Sequence, residues 1–188
     1  MKIRLFVFGI LLFFVFSGDL CAQKVNTRPS KWAQSVKSSN FDNLFTLNDS
    51  IYRSEQPDSL GFIEIADCKI KSILNLRRGH DDRNVMGKVK FKLYHVDMEP
   101  DLFSDYEIIE ALKIILKAPK PLLVHCAAGS DRTGVVIAMY RIVFENWSKD
   151  EAIKELTDGG YNFHDDYTNI PIYIQRADIG YIKKQIQL

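Results

Sequence analysis

Leu122-Leu123-Val124-His125-Cys126-Ala127-Ala128-Gly129-Ser130-Asp131-Arg132-Thr133-Gly134, running straight on into Val135 to Phe144, is the stretch that decides how the rest of this 188-residue chain is read. Leu122 to Val124 is an uninterrupted apolar run set off by Pro119 and Pro121, the pattern of a strand buried on both faces. Val135 to Phe144 is a helical run, and the residues between the two are small and polar. A cysteine at the end of such a strand, followed by a short glycine-containing loop and a helix, lies among backbone N–H groups at a helix N-terminus. That is a site for an anion, and the same field favours thiolate over thiol at Cys126. Arg132, six residues on, stands where the loop closes into the helix, and its planar fork can hold two oxygens of a tetrahedral oxyanion. Gly129 and Gly134 permit the tight turn and the close approach of backbone. A bare Cys-x5-Arg could be a buried cysteine in an ordinary turn. His125, Gly129, Thr133 and Gly134 in register argue against that.

Working outward, short β-rich runs alternate with longer helical ones. Leu44 to Leu47 and Ile51 to Ser54 read as a hairpin around Asn48-Asp49-Ser50. Asp58 or Ser59 can cap a helix through about Lys69, with Leu60, Ile63 and Phe62 as its buried face. Lys71 to Leu76 and Phe91 to Val96 are strands separated by a polar loop. Ser104 can cap a helix whose buried face is Ile108, Ile109, Leu112, Ile115 and Leu116, ended by Pro119. Ser148 to Glu151 is a capping box for a helix through Leu156, and Gly159 and Gly160 end it. This order predicts an α/β fold, a mainly parallel central sheet flanked by helices, with the ligand at the carboxyl ends of the strands.

The composition narrows the function classes. With 46% apolar and 26% charged residues and a formal net charge of +1, the chain is neither disordered nor suited to nucleic acid as its main partner. Lys2 and Arg4, the 12-residue apolar run Leu5 to Phe16 and the small and polar residues up to Ala22 have the form of a secretory signal peptide. The run is short for a membrane span, which needs about 20 residues. Residues 1–22 are therefore expected to be removed near Ala22, with an uncleaved anchor as the alternative, and no membrane span is expected in the mature chain. Residues 23–40 read as a linker or an arm draped on the domain, with Trp32 as a packing anchor, and residues 41–188 as the catalytic domain. Cleavage leaves a formally neutral domain, outside the cytoplasm in a periplasm or medium, with Cys68 and Cys126 as its cysteines. A redox bridge between those two is one possibility, and an inert Cys68 is the other.

HCAAGSDRTG (125–134) resembles the His-Cys-x5-Arg-Ser/Thr signature of the cysteine-dependent protein tyrosine and dual-specificity phosphatases. YRSEQP (52–57) and ILNLR (73–77) fit the compact atypical branch found in bacteria, fungi and plants. The resemblance implies a cysteine-phosphatase fold without a cofactor. It implies that Cys126 attacks phosphorus and forms a phosphocysteine. Arg132 and the backbone of Ala127, Ala128, Gly129, Ser130, Asp131 and Arg132 would bind the phosphoryl oxygens. Thr133 would help the thiolate leave, and His125 would orient the loop. The leaving oxygen also needs a proton from a neighbouring carboxyl. Asp101, which follows Pro100 as in the Pro-Asp pair of tyrosine phosphatases, is the favoured acid, and Asp97 is the alternative.

No basic side chain stands at 127, 128 or 130, and Asp131 adds a negative one. This favours a single phosphomonoester, phosphotyrosine first, on a protein or a small molecule. Arg77, Arg78 and Arg83 keep a phosphoinositide or inositol-phosphate substrate open, and a phosphate-binding module without turnover is the non-enzymatic alternative. His164, Asp165 and Asp166 read as a turn and cap, with no metal expected. Asp105 reads as a first-turn helix charge.

Overall fold

The computed structural model describes residues 28–187. The expected signal segment, residues 1–22, lies outside the described residues.

The apolar run before Cys126 is β6 (Leu122–His125), and every residue of it is buried. It lies inside a six-stranded sheet of order β1-β2-β3-β6-β4-β5. Its neighbours are β3 (Ile51–Ser54) and β4 (Ser72–Arg77), both parallel to it, with His125 level with Ser54 on one side and Asn75 on the other. Next to β4, and also parallel, is β5 (Lys92–Met98). The other edge is antiparallel: β2 (Phe45–Asn48) forms a hairpin with β3, and β1 (Gln34–Ser35) adds to β2. The hairpin turns on Asn48, whose Oδ1 accepts from the amides of Ser50 and Ile51 at 2.9 and 3.1 Å. Residues 28–36 thus pack against the sheet, with Trp32 buried.

One face of the sheet, carrying Leu74, Leu76, Leu122 and Val124, packs on α2 (Asp105–Lys117) and α3 (Asp131–Phe144). Around α3 lie α2, α4 (Lys149–Asp158), α5 (Asn169–Arg176) and α6 (Ile179–Ile186), so α3 is buried on nearly every side. The other face, carrying Ile73 and Leu123, is covered by α1 (Ser59–Asp67) and by Phe41 and Leu44. The expected capping box at Ser148 with Glu151 forms, and the expected cap at Ser104 is a capping box as well, with Glu107.

Three expected core residues are corrected. In α1 the inward residues are Gly61, Phe62 and Ile65, while Leu60 and Ile63 are exposed. The nine-residue helix rests on Phe62 and Ile65, one turn apart, and the stripe of Leu60 and Ile63 is rotated away from them. In α2, Ile115 is buried and Leu116, a residue further round, is exposed. Among the described residues no helix is long and apolar enough to cross a membrane.

Candidate active site

Cys126 follows the last residue of β6 and is buried, 2% exposed, at the carboxyl edge of the parallel strands. The loop from Cys126 to Ser130 leads directly into α3, which begins at Asp131, earlier than Val135. Each carbonyl of that loop is engaged by a group outside it or by α3. The Cys126 carbonyl lies 3.1 Å from His125 Nδ1, and the Ala127 carbonyl accepts from the Gln56 amide at 2.9 Å. The Ala128 carbonyl accepts from Asn43 Nδ2 at 2.8 Å, and the Gly129 carbonyl from Arg53 Nη2 at 2.6 Å. The Ser130 carbonyl takes the Gly134 amide at 2.8 Å. In a planar trans peptide the N–H points opposite to the C=O, so fixing these oxygens outward turns the following amides inward. The amides of Ala127 to Arg132 meet no acceptor among the described residues.

The helix end adds to this. Ser130, the N-cap of α3, makes no capping bond; its hydroxyl donates to the Tyr161 carbonyl at 2.7 Å. The first-turn amides of a 14-residue helix are therefore left to whatever anion lies in the loop. Gly129 has φ +73°, and a Cβ there would stand 2.5 Å from the backbone of Ser54 and Glu55, so this position requires glycine.

Arg132 extends over the end of β5, where Nη1 donates to the Met98 carbonyl at 3.3 Å. That contact places the arginine beside the loop Glu99-Pro100-Asp101, whose Pro100 carbonyl accepts from Asn169 Nδ2 at 2.8 Å. The Asp101 carboxylate has no hydrogen-bond partner among the described residues. Asp97 is committed elsewhere: its Oδ1 accepts from the Gly79 amide at 3.1 Å and lies 3.1 Å from His95 Nε2. The Thr133 hydroxyl is buried without a partner among the described residues. Asp105 takes the Tyr173 hydroxyl at 2.7 Å.

Several residues of the site carried no signal in the reading of the chain. Asp82 is buried with its Oδ2 3.1 Å from His125 Nε2, and its Oδ1 accepts from Gln56 and Asn75. Burial pushes its carboxyl up, but the hydrogen bonds of His125 and Gln56 and the His125 charge prevail and hold it below the ordinary carboxylate value. Arg53, Asn43 and Gln56 hold the loop from behind. An arginine inside the strand Ile51-Tyr52-Arg53-Ser54 is the one mark of this in the sequence, since a charge there is either solvated or paired.

Other sequence expectations fall away from the centre. Arg77 donates to Gln56 Oε1 at 3.2 Å, and Arg78 is exposed, 3.6 Å from Glu99. Arg83 pairs with Asp81. His164 does not belong with Asp165 and Asp166; its amide and Nδ1 meet the Asp131 carboxylate at 3.1 and 2.9 Å. The redox bridge is corrected: both cysteines are free. Cys68 caps α1 ahead of β4, at the amino edge of the strands, and Cys126 follows β6 at the carboxyl edge. A strand of four residues spans about 13 Å, beyond the roughly 7 Å that a disulfide allows.

Comparison with known proteins accords with this geometry. The model of the tyrosine phosphatase family matches residues 36–178. The dual specificity protein phosphatase TpbA of Pseudomonas aeruginosa is 31% identical over 180 residues, covering 94% of this chain and 81% of TpbA. The crystal structure of TpbA superposes with a TM-score of 0.78 at 29% identity, over 86% of this chain and 100% of that one. An inositol diphosphatase of Saccharomyces cerevisiae is 33% identical over 117 residues, 57% of this chain and 41% of that protein. With the signature loop folded as a cradle around Cys126 and the family match running over most of its length, the chain belongs to the tyrosine phosphatase family and is a cysteine-dependent phosphatase.

Proposed function

We propose that the enzyme hydrolyses single phosphomonoesters, phosphotyrosine in particular, through a phosphocysteine. The observation that carries this is the ring of outward-held carbonyls from Cys126 to Ser130, which turns the amides of Ala127 to Asp131 inward beside the sulfur. In this reading the Cys126 thiolate attacks phosphorus and the S–P bond forms as the P–O bond to the leaving group breaks. Asp101 gives its proton to that oxygen, while Arg132 and the loop amides hold the other three oxygens. Water then attacks phosphorus, Asp101 takes up its proton, and the S–P bond breaks to return the thiolate, which the buried Thr133 hydroxyl, unpartnered among the described residues, helps to leave. His125 orients the loop.

Asp101 is favoured over Asp97 because its carboxylate is uncommitted and it follows the segment that Arg132 grips. The surroundings favour an aryl ester over a polyphosphate. Ala127 and Ala128 bring no charge to the mouth, and Asp131 is held aside by His164. Leu102 and Tyr106, 80% and 70% exposed, flank the Asp101 loop with apolar surface. TpbA has been solved with phosphotyrosine in its cysteine-to-serine form, at a TM-score of 0.77 to this chain.

The test is phosphate release from a phosphotyrosine peptide, a soluble phosphoinositide and an inositol phosphate, with Cys126→Ser as control. Release chiefly from the peptide, absent in Cys126→Ser, is expected. Faster release from the inositol compounds would overturn the substrate assignment, and none from any of them would overturn the turnover itself.

Export rests on Lys2, Arg4 and the apolar run that follows. The expected outcome is a mature chain beginning after Ala22 and recovered outside the cytoplasm. An intact Met1 on cytoplasmic protein would refute it.

A further inference from the structure

Arg53 is an arginine in the interior of the sheet, 1% exposed, on a strand between β2 and β6. Among the described residues no carboxylate pairs with it. Its Nη2 donates to the Gly129 carbonyl at 2.6 Å, and its guanidinium lies 3.6 Å over the ring of Tyr161. A cation in the interior costs free energy that a methionine of similar volume would not. What the arginine adds is one donor aimed at one carbonyl, that of the loop glycine with φ +73°.

That carbonyl matters because the Gly129 oxygen and the Ser130 N–H share a peptide plane. Holding the oxygen outward fixes the Ser130 amide inward, toward the space beside Cys126. Glycine has little conformational preference of its own, so without an outside bond this plane could rotate.

The guanidinium is itself braced. The Tyr161 carbonyl accepts from Ser130 Oγ at 2.7 Å and from Asn43 Nδ2 at 3.1 Å, which places the ring beside the loop. The Tyr161 hydroxyl donates to Glu155 Oε1 at 3.1 Å and accepts from Arg28 Nη2 at 2.7 Å. Arg28 also donates to the carbonyls of Ala33 and Gly159, both at 2.6 Å, and Glu155 accepts from the Ala33 amide at 2.6 Å. The arm ahead of β1 is thus joined to the catalytic loop by a continuous path of contacts, half-buried at Arg28 and buried at Tyr161 and Arg53.

We propose that Arg53 is a positioning residue for phosphate binding: it sets the Gly129–Ser130 peptide so that the amide faces the phosphoryl group, and Tyr161 and Arg28 hold its guanidinium in place. This rests on the reading of the Cys126–Arg132 loop as the phosphate site. Burial pulls the Arg53 pKa below the ordinary arginine value, and Tyr161, Glu155 and Cys126 pull it back.

The experiment uses the full chain as wild type, Arg53→Met, Arg53→Lys and Arg28→Met. It measures kcat and KM on an aryl phosphate, inhibition by inorganic phosphate, and thermal midpoint. Below its own melting range Arg53→Met is expected to lose about 10- to 100-fold in kcat, as for a donor acting on transition-state charge, with weaker inhibition by phosphate. Arg53→Lys, which keeps a charged donor but not the stacking, should recover part of both losses. Arg28→Met, one step further out, should lose a few-fold in the same direction. Folded Arg53→Met and Arg53→Lys with unchanged kcat and phosphate inhibition would overturn the proposal. If Arg53→Met does not fold, unchanged values in Arg53→Lys and Arg28→Met overturn it equally. An inactive wild type would refute the phosphatase reading rather than this one.

Discussion

His125 and Asp82 form a buried pair, Nε2 to Oδ2 3.1 Å, behind the catalytic loop, with the other ring nitrogen of His125 3.1 Å from the Cys126 carbonyl. Both neighbours are hydrogen-bond acceptors, so the ring is held between two oxygens, one on each nitrogen. Asp82 is in turn held by Gln56 and Asn75, so β4, the loop after it and the segment before α1 converge on the orientation of one peptide at the nucleophile.

Asp82→Asn is therefore expected to lower kcat about 10-fold or more, the worth of a charge-assisted hydrogen bond, and stability by about 1 to 3 kcal/mol. The pH dependence has a definite sign. The carboxyl is depressed in the folded chain, so its contribution is present above the ordinary carboxylate range and is lost as pH falls through the lowered value. Urea unfolding should separate wild type from Asp82→Asn at pH 7 and bring them together in strong acid. A gap that widens in acid would refute the pairing.

The choice of general acid can be read from leaving groups. Asp101→Asn should cost about 100- to 10,000-fold on an ester with a poor leaving group and much less on p-nitrophenyl phosphate, whose leaving oxygen needs little help. The same substitution should remove the fall in kcat at alkaline pH, because an acid must be protonated to act. Asp97→Asn should leave both unaltered, since that carboxylate is tied to the Gly79 amide. The reverse pattern would transfer the role to Asp97.

Gly129 and Gly79 test the loop geometry as a pair. Both have positive φ, +73° and +65°, but a Cβ at Gly129 meets the backbone of Ser54 and Glu55, whereas one at Gly79 meets nothing within 4 Å. Gly79→Ala should cost only the conformational penalty, about 1 to 2 kcal/mol, with turnover kept. Gly129→Ala must also displace the end of β3 or the loop itself, so its loss of activity should far exceed its loss of stability. Equal activity in the two variants, read on an aryl phosphate at 25 °C, would show that the loop tolerates the shift.

The residues that are local in the chain were the legible ones. Cys126, Gly129 and Arg132 share one turn of backbone, and the apolar strand before them and helix after them fix where that turn must lie. The mainly parallel sheet, the Ser104 cap and the Ser148–Glu151 capping box followed from period and end signals, whereas the order of the strands did not. What stayed hidden is what the fold brings from far away. Asp82 reaches His125 across 43 residues of chain, Arg53 reaches Gly129 across 76, and Asn43 reaches Ala128 across 85. Asp82 and Asn43 are ordinary polar residues in their own segments, and only its place inside a strand sets Arg53 apart. The misplaced burial of Leu60, Ile63 and Leu116 has a different origin: a short helix on a sheet buries a stripe narrower than its supply of apolar residues, and the sequence alone does not say which stripe is turned inward.

Tyr161 supplies the last test, in alkali. Burial, with Glu155 adding to it and Arg53 and Arg28 opposing, raises its phenol from an ordinary 10.0 to about 12. A raised acid group favours the folded state while protonated, so this contribution is full below about 10 and is lost as pH climbs through about 12. The loss amounts to about 2 to 3 kcal/mol over that interval. Tyr161→Phe should start from lower stability at pH 7, because Arg28 and Glu155 each lose a hydrogen bond, and then decline less between pH 10 and 12. Guanidinium unfolding at the three pH values checks it. Parallel declines in the two proteins would mean that this phenol ionises in the folded chain as easily as in the unfolded one, and that the ring beneath Arg53 is less enclosed than the structure has it.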